Sequence, residues 1–131
     1  MTNRGRSRGG SQPSSVDALR LVVDALADRK AIDTTVLDLR GLCGATDYFV
    51  IVSGTSDAHV RGMADHLVSA LAPHGVAPHH VEGLAQGRWV LLDYVDFIVH
   101  VFHPELRAFY QLERLWSDAP VVAAGDAGAK G

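Results

Sequence analysis

The seven residues from Tyr48 to Gly54 (YFVIVSG) are almost wholly apolar, so both alternating sets of side chains on an extended strand would avoid water. A strand of that kind belongs in the middle of a sheet, with material on both faces. Thr35 to Leu39 (TVLDL) is a second β-branched run, joined to the first by a Gly-rich connection, as paired or neighbouring strands are. Upstream, Ser14 or Ser15 caps a helix to about Lys30, with Asp17 at its positive end and Val16, Leu19, Val22, Val23 and Leu26 at helical spacing. Ser56 and Asp57 open another, whose stripe of Val60, Met63, Ala64, Leu67, Val68 and Leu71 ends at Pro73 and Gly75; Gly62 inside it costs stability.

His79 to Glu82 reads as a short strand, and Arg88 to Tyr94 with Asp96 to His103 as an antiparallel hairpin about Val95. Pro104 suits the first turn of a last helix, capped by His103 or a neighbour, with Leu106, Phe109, Tyr110, Leu112, Leu115 and Trp116 on its apolar face. The order α, β, β, α, β, β, β, α implies an α/β chain of the α+β kind: a mixed sheet flanked by helices in two or three layers. Residues 1–13 (MTNRGRSRGGSQP) have too little apolar surface to offset ordering and read as a disordered tail. Residues 14–120 read as the domain, and 121–131 as a flexible end, with Val121 and Val122 still able to pack.

At 131 residues the chain holds one core, and no apolar run approaches the roughly 18 residues of a membrane span. Arg4, Arg6 and Arg8 precede no apolar stretch of the secretory kind, and the single cysteine, Cys43, can form no internal disulfide, so a cytoplasmic protein is expected. Between residues 14 and 120 eight basic side chains stand against fourteen acidic ones, a net −6. Phosphate backbones are repelled by such a body, so little or no direct nucleic-acid binding is expected and a basic protein is the better partner.

Gly54-Thr55-Ser56-Asp57 leads from a strand end into a helix N-terminus, where a phosphate could sit, as in magnesium-dependent nucleotidyltransferases. Those enzymes also need two carboxylates on one strand face to hold two metal ions. Asp93 and Asp96 are three apart across a turn, which does not place them so. Ser56 as a helix cap and Gly54 as a relief of the backbone explain the same residues. His79, His80, His100, His103 and Glu82 show no spacing that fixes three zinc ligands, and Cys43 beside Gly41 and Gly44 would need a base from elsewhere. No catalytic residue, metal or cofactor is called for.

The most unusual stretch runs from Glu82-Gly83 through Gly87-Arg88 to Trp89-Val90-Leu91-Leu92-Asp93-Tyr94 and Asp96. On a regular strand Trp89, Leu91 and Asp93 share one face, and Val90, Leu92 and Tyr94 the other. One face packs on helices; an aromatic and aliphatic patch beside carboxylates on the other has the composition of a protein interface, unless Trp89 is core beneath a helix.

Together, Asp47-Tyr48-Phe49-Val50-Ile51, Gly54-x-Ser56, His59-Val60-x-x-Met63-Ala64-Asp65, Glu82-Gly83, Trp89-Val90-Leu91-Leu92-Asp93-Tyr94-x-Asp96-x-x-Val99-His100-Val101-Phe102 and Phe109-Tyr110-x-Leu112-Glu113-x-Leu115-Trp116 resemble the Iojap/RsfS family of ribosomal silencing factors over about residues 15–118. The resemblance implies a nucleotidyltransferase-like fold without the catalytic carboxylates. It also implies a non-enzymatic factor that binds the fourteenth protein of the large ribosomal subunit, blocks joining of the small subunit, and so represses translation under nutrient limitation. Family members commonly form homodimers. On this reading Asp93, Asp96, Asp47 and Glu82 meet basic residues of the partner, and Trp89, Leu91 and Tyr94 form the desolvated centre. Arg88, His59 and Arg61 are further candidates as polar residues flanking the same motifs.

Overall fold

A computed structural model describes residues 14–42, 44, 46–105 and 121–123. The final helix expected from Pro104 onward lies outside them beyond Glu105, as do Cys43 and residues 1–13. Helix α1 spans Ser15–Asp28, capped by the Ser14 hydroxyl, which accepts from Asp17 N. Strands β1 (Ile32–Asp38) and β2 (Tyr48–Ser53) follow, then helix α2 (Asp57–Leu71) under the Ser56 cap, which accepts from His59 N at 3.0 Å. A 3₁₀ turn over Ala72–His74 stops α2, with Gly75 left-handed behind it. Strands β3 (His80–Glu82), β4 (Trp89–Asp93), β5 (Phe97–Phe102) and β6 (Val121–Ala123) complete the sheet.

The sheet order is β3-β4-β5-β2-β1-β6, with β2 and β5 parallel and all other neighbours antiparallel. The apolar β2 is interior, between β1 and β5, as its two-faced composition requires. On one face, Val36, Tyr48, Val50, Val52, Val90, Leu92, Val99 and Val101 pack against the stripes of α1 and α2 in a single core. The opposite face carries a smaller cluster of Leu37, Leu39, Ile51 and Phe102, with Phe49 and Trp89 packed against it. None of the described helices is long and apolar enough to cross a membrane.

Two boundaries differ from the sequence expectation. β1 begins at Ile32 rather than Thr35, because its register with β2 shifts between those residues and Asp33 is left-handed (φ 55°), an irregularity that breaks alternation at the strand's start. Val121–Ala123, in the end segment read as flexible but with Val121 and Val122 able to pack, pairs with β1 at the sheet edge. Gly62, exposed in mid-α2, has nothing among the described residues within 4 Å of where a Cβ would stand. Gly62→Ala is therefore expected to raise stability by about 0.5–1 kcal/mol, read from the denaturant midpoint.

Candidate partner-binding surface

The turn into α2 spends its polar groups inside the protein. Thr55 N donates to His59 Nδ1 at 2.8 Å, and His59 Nε2 reaches the Arg29 carbonyl at the end of α1 at 2.6 Å. A backbone N–H can only donate, so Nδ1 accepts and Nε2 carries the proton. The imidazole, half-buried, thus clamps the turn to α1 on the helix side of the sheet. A Cβ on Gly54 would stand 2.9 Å from Met63 Cε and 3.0 Å from Val60 Cγ2, so helix packing alone accounts for the glycine. Among the described residues, no three His, Cys, Asp or Glu side chains converge as metal ligands would.

Strand β4 divides as its alternation predicts. Val90, Leu92 and Tyr94 are buried toward the helices, and Trp89, Leu91 and Asp93 lie half-buried on the other face. Tyr94 corrects the expectation: it is 7% exposed, stacks on Phe97 at 4.9 Å, and its phenol is pushed up to about 12 by burial. It belongs to the core and stands across the sheet from the residues it was grouped with.

Trp89 is held on two sides. Its ring stacks on Phe102 at 5.0 Å, its cross-strand partner in the register, and its indole N–H donates to His100 Nδ1 at 3.2 Å. His100 is 4% exposed, meets Phe49 edge-on at 4.7 Å, and has its pKa pushed down to about 4 by burial. It is therefore neutral, protonated on Nε2, with that nitrogen buried and unpartnered. Sequence reading saw only a histidine in an apolar strand; the cross-strand pairing that sets it opposite Leu91 and beside Trp89 needs the register.

The carboxylates gather along the same strip. Glu82 pairs with Leu91 in the β3–β4 register, so its side chain shares that face, where His80 Nε2 lies 2.6 Å from it. At the far end, Asp47 N donates to the Asp96 carbonyl (3.0 Å) and Thr46 Oγ1 to the Val95 carbonyl (3.0 Å), joining the β1–β2 connection to the β4–β5 turn. Asp47 and Asp96 are exposed there, beside Val95, which is 54% exposed; the same connection carries Leu42, 47% exposed.

Arg61 and Arg88 work at the other end. From α2, Arg61 Nη1 donates to the Gln86 carbonyl at 3.3 Å, fastening the loop that delivers Trp89. Exposed Arg88 lies 3.5 Å from Glu105 and 3.9 Å from Asp57, the latter too long for a hydrogen bond.

Fold and surface together define a small mixed-sheet α+β domain whose second sheet face presents an aromatic strip bordered by carboxylates. The family model described as ribosomal silencing factor during starvation matches residues 12–130. The chain belongs to that family. It is 40% identical over 109 residues, 83% of this chain and 93% of the other, to the ribosomal silencing factor RsfS of Halalkalibacterium halodurans. A crystal structure of a Chromobacterium violaceum protein superposes with a TM-score of 0.78 at 31% identity, covering 80% of this chain and 88% of that one. A Mus musculus relative, mitochondrial assembly of ribosomal large subunit protein 1, is 33% identical over 100 residues, 74% of this chain and 44% of the mouse protein.

Proposed function

We propose that this protein is a ribosomal silencing factor that docks on the large ribosomal subunit through its fourteenth protein and stops the small subunit from joining, lowering translation when nutrients are scarce. The observation that carries the reading is the strip of Trp89 and Leu91 on one sheet face, bordered by Glu82, Asp93, Asp47 and Asp96. A half-buried aromatic held from two sides loses little freedom on docking, the property of an interface anchor. Carboxylates around it set register and speed encounter with a basic partner. Family membership and the name of the mouse relative support the large subunit as that partner.

The action is occupancy of a site in the cytoplasm, without turnover. A homodimer, which the family resemblance implies, is part of the same proposal. Sedimentation of purified large and small subunits at fixed magnesium, with and without the protein, tests it. Co-migration with the large subunit and a smaller joined-ribosome peak are expected. Protein left at the top of the gradient with joining unchanged would count against the reading and turn attention to nucleotide binding. Trp89→Ala should keep the folded circular-dichroism spectrum and weaken large-subunit binding by about 2 kcal/mol, near thirtyfold. Loss of the folded spectrum would instead make Trp89 a core residue.

A further inference from the structure

Val95 stands where its own side chain is least at ease. Its φ is +76°, a left-handed conformation that is an outlier for a β-branched residue. The turn holds it there on every side. Val95 N donates to Asp93 Oδ1 (2.8 Å) and Thr46 Oγ1 donates to its carbonyl (3.0 Å). Flanking it, Tyr94 N bonds Phe97 O and Asp96 N bonds Tyr94 O, both at 2.9 Å. None of these bonds uses the isopropyl group, and the residue is 54% exposed. A glycine or asparagine would make the same turn with less strain, so the valine side chain contributes nothing the turn needs.

The charged residues next to it in the turn are acidic. Asp93 lies two residues before, Asp96 one after, and Asp47 is joined to Asp96 across the connection. The basic side chain of that connection, Arg40, is bound to Asp38 at 2.7 Å and lies over the Tyr48 ring. Val95 stands in the turn that follows the strand carrying Trp89, Leu91 and Asp93, two residues beyond its end.

We infer that Val95 is a contact residue of the docking surface, an apolar knob that enters a small apolar recess rimmed by lysine or arginine on the basic ribosomal protein. The inference rests on the docking reading above. Strain tolerated in a turn so fully determined, with an exposed apolar group as its only product, is what a side chain kept for a partner looks like. The knob and its acidic surround would together select a partner that offers both an apolar hollow and positive charge.

Full-length wild type, Val95→Asn, Val95→Gly, Val95→Ile and Trp89→Ala, each titrated against purified large subunits and melted alone, provide the test. Asparagine tolerates the left-handed region, so Val95→Asn should melt at or above the wild-type temperature yet bind about fivefold or more weakly. Val95→Gly should likewise bind weakly, and Val95→Ile should retain affinity. Wild-type affinity in Val95→Asn and Val95→Gly, with Trp89→Ala weakened, overturns the role of Val95 and leaves the docking surface intact. Affinity and melting temperature falling together in both variants also overturns it, by showing the residue to be structural. No binding of the wild type would remove the docking reading and this inference with it.

Discussion

Gly83→Ala is expected to lower the melting temperature by about 10 °C, corresponding to about 3 kcal/mol. Gly83 has φ +82°, and a Cβ built there would stand 2.0 Å from the Trp89 carbonyl oxygen, a backbone atom that cannot swing aside. The left-handed conformation alone costs about 1–2 kcal/mol for a residue with a Cβ, and overpacking a further 1–3 kcal/mol. The loop around it has no slack. Gly87 N donates to Gly83 O at 3.1 Å, Gly87 is itself left-handed, and a Cβ there would meet the Asp57 carbonyl at 2.6 Å. Any adjustment must therefore displace the start of β4, and Trp89 with it, so the proposed large-subunit binding should fall even at temperatures where the variant is folded. Gly44→Ala is the control: among the described residues nothing lies within 4 Å of its Cβ position, and its melting temperature should barely change. A Gly83→Ala protein that melts with the wild type would show that the loop is looser than these distances require.

Much of this architecture is visible in the sequence because it rests on local periodicity and capping chemistry. Ser14 and Ser56 as caps, the stripe on α2 and the two-faced apolar run of β2 each follow from residue type at fixed spacing. Alternation also places Trp89, Leu91 and Asp93 on one face of β4. The same alternation already put Tyr94 on the other face, and the family pattern that grouped it with Trp89 gave way to geometry. Failures came where a long-range partner decides. His59 looks like an exposed polar residue until the Arg29 carbonyl, thirty residues earlier, is brought within 2.6 Å of it. His100 gains its meaning from cross-strand register with Trp89, and β6 from pairing along three residues, too few to show a period. Val95 marks a hairpin turn by position alone; only its backbone angle shows that the residue is strained.

His100 gives the second large effect, a loss of stability in mild acid. In the folded protein burial pushes its pKa from 6.5 to about 4, whereas in the unfolded chain it titrates near 6.5. Between those values the unfolded chain takes up a proton that the folded one refuses, so each step down in pH favours unfolding. The contribution is fully present above about pH 6.5, is reduced by about 2 kcal/mol at pH 5, and reaches about 3 kcal/mol of loss near pH 4. Denaturant unfolding of wild type and His100→Phe at pH 7.5, 6 and 5 isolates it, since the other histidines and the carboxylates are common to both chains. Phenylalanine fills much of the same space beside Phe49 and Phe102 but cannot accept the Trp89 indole N–H, so the variant should start lower at pH 7.5, by about 1 kcal/mol. From there the wild type should lose about 2 kcal/mol more than the variant by pH 5, so the two curves should cross near pH 6 and leave the variant about 1 kcal/mol the more stable at pH 5. Parallel curves would mean that His100 takes up its proton in place, with Nδ1 or Nε2 reaching water. A crossing would show instead that a neutral imidazole is built into the sheet, and with it the acceptor that fixes the Trp89 indole.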